Sequence, residues 1–253
     1  MFRGTKPKTR LESDAPIVIL SPHLDDAVLN CWSVITSGAP VQVVNVFAQV
    51  PPPGPVSEWD RICGARDSTT HFRARLTEDR AVLEPLVGAP LNLSLLEQQY
   101  RADSSKTLAT IERELDRVLP AASAVYSPAA LGEAHVDHSL VQTVARKLAR
   151  ADIAVWLYAD VPYAIPYGWP KWVTEGVGVP RSGAAAFWRR SLARLRRIGV
   201  SGETRVVRLD EAAAGRKLNA MQMYETQFTA LDCRGLLSDP TTHRYELFWS
   251  LGA

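Results

Sequence analysis

Five short apolar runs separated by segments of helical period constrain this chain more than any other feature. Ile17-Val18-Ile19-Leu20 is β-branched, too short for a buried helix, and stops at Ser21-Pro22, the mark of a strand covered on both faces. From Asp25 the period becomes helical, with Val28, Leu29, Trp32 and Ile35 on one face and Gly38 placed to end the helix. Val41 to Phe47 reads as a second strand. A proline-rich loop, Gln49 to Arg66, then leads into a long amphipathic segment from about Asp67 to Val87. Leu91 to Leu95, Ala124 to Ser127 and Ile153 to Tyr158 complete the set of strands, with helices expected from about Ser105 to Leu119 and from about Asp137 to Arg150 between them. Strands alternating with helices of this length make a mostly parallel sheet with helices on both faces.

The last third is less regular. A loop over residues 160–183 is rich in proline, glycine and aromatics. A helix from about Ala184 to Arg197, a strand from Thr204 to Leu209, one long helix from Glu211 to Leu231 and a final strand from Tyr245 to Trp249 follow it. No repeat or domain boundary is evident. The expectation is one Rossmann-like α/β domain over residues 1–253, with a flexible amino terminus at 1–13 and carboxy-terminal decoration.

Composition removes several alternatives. Hydrophobic residues make up 46% and charged residues 22%, as in ordinary globular proteins, which sets disorder and low-complexity readings aside. Lys and Arg number 29 against 27 Asp and Glu, too even a balance for a dedicated nucleic-acid binder. Cys31, Cys63 and Cys233 form no C-x-x-C pair, so neither a disulfide framework nor a thiolate zinc site is expected, and Cys31 reads as a packed thiol. No run approaches the roughly 20 apolar residues of a membrane span, and the basic amino terminus lacks the apolar core of a secretory signal. The chain is therefore expected in the cytoplasm, without nucleic acid and without a membrane span, with peripheral membrane contact left open.

The chemistry concentrates in two clusters, Ser21-Pro22-His23-Leu24-Asp25-Asp26 and Ala134-His135-Val136-Asp137-His138, which hold three of the five histidines. Each follows a predicted strand and opens a helix. In a doubly wound sheet the first and fourth strands lie side by side, and ligands bind beyond their carboxyl ends. The two clusters are thus expected across one crevice. Imidazole and carboxylate together suit Zn²⁺, whose hydrolytic sites take three protein ligands and leave one position open. Positions i and i+3 on a turn into a helix lie on one side, so His23 and Asp26 can share a metal while Asp25 stands beside the open position, where a general base belongs. Either His135 or His138 could complete the site, and spacing does not choose. A lone Asp at a helix start is commonly a cap and a lone His commonly structural; two such clusters at two strand ends outweigh that reading.

The P-H-x-D-D and H-x-D-H elements resemble those of the zinc-dependent de-N-acetylases related to N-acetylglucosaminylphosphatidylinositol deacetylase, the LmbE-like family. Weaker similarities run along the chain: Arg75-Leu76-Thr77-Glu78-Asp79-Arg80, the stretch from Trp156 to Ala164, and the segment from Lys217 to Leu231. The resemblance implies one Zn²⁺ per chain on His23, Asp26 and His138, with Asp25 as general base. It further implies that His135 polarises the amide oxygen and protonates the leaving amine, with Asp137 fixing its tautomer. Leu24 stands where proline is usual and Leu76 where a second arginine is usual, leaving Arg75 as the anion or hydroxyl contact. The implied activity is removal of an N-acetyl or other N-acyl group from an amino sugar or glycoside. The same site would also serve an amidase on a non-sugar or thiol-conjugate substrate. Against a non-catalytic binding protein stands the presence of all six polar positions of the two motifs. No G-x-S-x-G elbow surrounds Ser57, Ser68 or Ser139, which argues against a serine hydrolase.

Two further features call for placement. From Arg181 to Gly199 there are six arginines and no acid, beside an apolar stripe of Trp188, Leu192 and Leu195. A solvated helix packed by that stripe is the plainer reading, and attraction to an anionic substrate or membrane surface the sharper one. In the aromatic loop, Tyr163, Tyr167, Trp169 and Trp172 are expected either to pack the loop or to wall the zinc with flat faces for a sugar. In the second case Asp160 would accept from hydroxyls and Arg75 would close the pocket opposite.

Overall fold

The computed structural model describes residues 15–252, apart from 55, 102–106, 120–121, 133–134, 150–152, 177–180 and 201; the amino-terminal segment 1–13 lies outside the described residues. The strands are β1 (Ile17–Ser21), β2 (Val41–Asn45), β3 (Leu91–Asn92), β4 (Ala124–Pro128), β5 (Val155–Tyr158), β6 (Thr204–Arg208) and β7 (Tyr245–Ser250). They form one sheet in the order β3-β2-β1-β4-β5-β7-β6. β1 pairs in parallel with both β2 and β4, while β7 runs antiparallel to β5 and to β6. The switch point therefore lies between β1 and β4, as the sequence predicts, and the antiparallel pair at one edge is the carboxy-terminal decoration.

Alternation along each strand divides the core. Val18 and Leu20 of β1, Val125 of β4 and Leu157 of β5 face α5 (Thr107–Leu115), α6 (Val136–Ala149) and α8 (Ala184–Arg197). Ile19, Val43, Tyr126 and Tyr158 face the other way, onto α1 (Asp26–Asn30), α2 (Trp32–Ile35), α4 (Ser68–Val87) and α9 (Glu211–Gln222). Both faces are covered. A short helix, α3 (Glu58–Ile62), capped by Ser57, interrupts the loop that the sequence reads as irregular, and α7 (Val161–Ala164) follows β5. β3 is only two residues long.

Two helices expected to be continuous are broken, each at a carboxylate from a distant segment, buried in the first case and half-buried in the second. The first helix stops at Asn30 and restarts at Trp32, because Glu246 of β7 accepts from the N–H groups of Trp32 (2.7 Å) and Ser33 (2.9 Å). Lys217 of α9 pairs with the same carboxylate at 2.7 Å, and both side chains are buried. The long carboxy-terminal helix likewise ends at Gln222 and restarts as α10 (Glu225–Leu231). There Glu78 accepts from the Thr226 N–H and hydroxyl, and the buried Tyr224 hydroxyl donates to Asp79. In each case the freed N–H groups of a new helix start find an acceptor, which makes the break affordable. No helix among the described residues is long and apolar enough to cross a membrane.

Candidate metal centre

Beyond β1 the chain turns through Pro22, His23 and Leu24 into α1. Ser21 Oγ donates to the His23 carbonyl (2.6 Å) and accepts from the Ala27 N–H (2.9 Å), and Asp26 Oδ2 accepts from the His23 N–H at 2.9 Å. The turn is thus held from within, and it draws His23 Nδ1 to 3.4 Å from Asp26 Oδ2. The second cluster opens α6, after the neighbouring strand β4. It brings His138 Nε2 to 3.2 Å from Asp26 Oδ2 and 3.3 Å from His23 Nδ1. Tetrahedral zinc with ligand bonds of about 2.0–2.1 Å has ligand-to-ligand edges of about 3.3–3.4 Å. The triangle of donor atoms therefore fits such an ion, and its two nitrogens and one carboxylate oxygen are ligand types that zinc accepts.

Each histidine's other nitrogen is held by a buried carboxylate. His138 Nδ1 lies 2.7 Å from Asp160 Oδ1, whose Oδ2 accepts from the Leu131 N–H at 2.8 Å. His23 Nε2 lies 3.2 Å from Asp137 Oδ2, and Asp137 also takes the Arg101 guanidinium (2.6 Å) and the Gln98 N–H (2.9 Å). Such partners fix the ring orientation of a metal-binding histidine. The resemblance would give Asp137 to His135 instead. His135 Nδ1 is 3.7 Å away from it, because Arg101 and Gln98 hold the carboxylate toward His23. A second triad of donor types, His23, His135 and Asp137, also exists, but its carboxylate is already tied to Arg101.

Charge at the site follows from these contacts. Burial alone would depress both histidines, yet Asp137 and Asp26 hold His23 well above its ordinary value, and Asp26 and Asp160 hold His138 at about 9. Burial would raise Asp26, but His138 and His23 drive it far below the usual carboxylate range. Asp25 is pushed up to about 6, by burial and then by Asp26. Unlike Asp26, Asp137 and Asp160, Asp25 is tied to no histidine among the described residues. His135 is lowered to about 4, by burial and then by the His23 charge.

A cavity of about 380 Å³ opens over the triad, with Asp25, His135, Arg75, Tyr163, Glu97 and Gln227 among its walls. Arg75 is fully buried and pairs with Glu97 at 2.7 Å, while its Nε and Nη1 and the Gln227 amide nitrogen have no partner among the described residues. The Tyr163 ring stands edge-on to His138 at 5.4 Å. Arg75 and Tyr163 are thus where the sequence reading puts them. The other members of the aromatic wall are not. Asp160 is fully buried, and with both carboxylate oxygens occupied it cannot receive a substrate hydroxyl. Tyr167 stacks on Phe187, and Trp169 packs on Trp188 while donating to the Thr242 carbonyl, so neither lines the metal cavity. Trp172 is exposed and also absent from its walls. Trp59, on the short helix α3, and Glu97 and Gln99, on the segment after β3, do line it, and neither place carries a periodic signal in the sequence. Gln227 was visible only inside the resemblance over 217–231.

No protein-family model matches the sequence, and no curated protein matches it significantly. Solved structures do. The chain is similar to a deacetylase of the teicoplanin biosynthetic pathway, crystallised as a triple mutant, at 24% identity and a TM-score of 0.70 over 93% of this chain and 97% of that one. It has the fold of these deacetylases. The antimicrobial reagent A40926 pseudoaglycone deacetylase gives 24% identity and a TM-score of 0.67 over 93% of this chain and 96% of its own. An N,N'-diacetylchitobiose deacetylase from Pyrococcus horikoshii gives 14% and 0.51 over 94% and 84%. The deacetylase architecture thus extends over nearly the whole chain, and the chemistry rests on the side chains described above.

Proposed function

We propose that the protein is a zinc-dependent hydrolase that removes an N-acetyl, or other N-acyl, group from an amino sugar or glycoside. The observation that carries this reading is the triangle of His23 Nδ1, Asp26 Oδ2 and His138 Nε2, with an acid beside it that no histidine holds. The resemblance in the two motifs and the shared architecture of the sugar and glycopeptide deacetylases support it. His23, Asp26 and His138 would hold the ion, which when bound acts as a Lewis acid toward the amide carbonyl and water. Asp25 takes the proton of the attacking water at its carboxylate. His135, neutral because it is lowered to about 4, stands on the cavity wall and would hydrogen-bond the amide oxygen through its ring N–H as charge develops there. The proton that Asp25 has taken from the water would then pass to the departing amine with His135 as the relay, neutral before and after. Asp137 and Asp160 keep the two ligand rings oriented. Arg75 and Gln227 offer buried donors to sugar hydroxyls, and Tyr163 supplies an apolar face. The test is amine release from a panel of N-acetylated amino sugars, free and as glycosides, by zinc-loaded protein. Release should be abolished by Asp25→Asn with the metal retained; a panel on which wild type matches the metal-free protein overturns the reading.

A further inference from the structure

A second cavity, of about 600 Å³, adjoins the one over the triad, and Pro162 and Tyr163 line both. Its floor is apolar: the Tyr167 and Phe187 rings stack with centroids 4.1 Å apart. Its far wall is α8, which presents Arg190, Ser191 and Arg194 to it, positions on one face of the helix. Ser191 is only 4% exposed, yet its hydroxyl has no hydrogen-bond partner among the described residues. A buried polar group left in that state is destabilising, and a polar ligand in the cavity relieves it. Arg194 is half-buried and pre-positioned, its Nη1 donating to the Gly132 carbonyl at 3.0 Å. Gly132 has a φ of +71°, and a Cβ there would meet the Phe187 ring at 3.1 Å, so that anchoring carbonyl depends on glycine. Arg190, though exposed, lines the cavity and pairs with no acid among the described residues, and none of the described residues lining the cavity is acidic.

A solvated helix face accounts for Arg189, Arg196 and Arg197, which are exposed and do not line the cavity. It does not account for two arginines and an unpaired buried hydroxyl converging on one concavity that shares a wall with the metal cavity. We propose that this second cavity is an anion subsite, which takes a carboxylate or phosphate carried by the substrate beyond its acylated amino sugar. The inference rests on the deacetylase reading of the neighbouring cavity and adds to it the charge class of the substrate's remote half. Arg190 and Arg194 hold the anion by charge-assisted hydrogen bonds, Ser191 donates a third, and the stacked rings carry the linking portion.

The experiment uses N-acetylglucosamine glycosides with alkyl linkers of graded length ending in a carboxylate, a phosphate or a primary amide. Zinc-loaded protein is titrated with each by calorimetry, and amine release is followed in parallel. At the best linker length one of the anionic conjugates should bind about 10- to 100-fold more tightly than its amide, the range expected for charge-assisted hydrogen bonds from two arginines. Whichever anion has the larger preference identifies the source. Arg190→Gln and Arg194→Gln should each reduce the ratio of anionic to neutral affinity about tenfold, and Arg189→Gln, outside the cavity on the same helix, should keep it. Equal affinity for all three conjugates overturns the proposal, as does a preference that survives in the Arg190→Gln/Arg194→Gln double variant. An arginine-dependent preference without amine release would sink the deacetylase reading and leave the anion subsite standing.

Discussion

The carboxylate behind His138 makes a sharp test of the metal centre, through Asp160→Asn. If Nε2 of His138 faces the ion, the ring proton must sit on Nδ1 and point at Asp160 Oδ1, 2.7 Å away, while Oδ2 accepts from the Leu131 N–H. Asparagine has one acceptor oxygen for these two donors. Whichever way the amide is turned, one N–H meets an NH2 group, a mismatch worth about 1–3 kcal/mol in a buried site. The metal-free variant escapes it by moving the ring proton to Nε2, where Asp26 accepts it at 3.2 Å. The loss therefore falls on metal binding, and zinc affinity should drop about 5- to 150-fold. The pH of the assay matters. His138 titrates at about 9 in the metal-free protein, so at neutral pH the ion must displace a proton that the variant holds less firmly, and this opposes the effect. At pH 9 that competition amounts to no more than about 0.4 kcal/mol, the free energy of a half-protonated group. Competition against a chromophoric chelator at that pH measures the change directly. An affinity within about twofold of wild type, in a variant with an unaltered circular dichroism spectrum, refutes the reasoning.

Asp26→Ala and His138→Ala should lose the bound ion by elemental analysis, whereas Asp25→Asn should keep it and lose about 10²- to 10⁴-fold in kcat, the range for a missing general base; an empty site in Asp25→Asn would exchange the roles of the two acids. Lys217→Met leaves the Glu246 carboxylate buried against two N–H groups without its counter-charge, and chemical denaturation should show a loss of about 3–5 kcal/mol; a change below about 1 kcal/mol would mean the pair is immaterial to the broken helix. Asp79, pushed up to about 7 by burial, keeps its proton in the folded state over a pH range in which the unfolded chain has lost it. Its contribution to stability therefore declines as pH rises from about 4 to 7, by at most ~4 kcal/mol, a penalty that Asp79→Asn should remove. Urea midpoints of wild type and Asp79→Asn that fall in parallel between pH 5 and pH 8 would contradict this.

What the sequence disclosed and what it hid divide by distance along the chain. His23 and Asp26 are three residues apart on a strand-to-helix turn, and the switch-point rule for parallel sheets places the second cluster beside them, so two donors and the cluster that holds the third are legible from the residues, while the choice of His138 over His135 comes only with the resemblance. The side-chain partners that decide finer roles were not. Asp160 carries no local mark that it serves His138 rather than a substrate, because the contact spans 22 residues. Asp137 stands next to His138 and two residues from His135, yet it reaches His23 across 114 residues, held there by Arg101. The helix breaks at Cys31 and at Met223–Tyr224 are invisible to a periodicity that continues through both. Their causes, Glu246 and Glu78, lie 214 and 148 residues away. The aromatic loop misled for a related reason: a high density of rings looks the same whether it faces a ligand or, as with Tyr167 on Phe187, another part of the chain.

The Glu246 carboxylate also carries a consequence for the order in which the molecule can be completed. The ligand-bearing turn and α1 follow directly on β1, but the restart at Trp32 that sets the length of α1 depends on a strand synthesised more than two hundred residues later. Until β7 emerges, the N–H groups of Trp32 and Ser33 have no carboxylate to receive them, and a single uninterrupted helix from Asp26 onward satisfies the local pattern better. The nascent chain is therefore drawn toward a helix that the finished protein does not contain. Insertion of β7 beside β5 would undo one turn of it, so α1 takes its final length late, by remodelling, behind a His23–Asp26 turn that its own hydrogen bonds already hold.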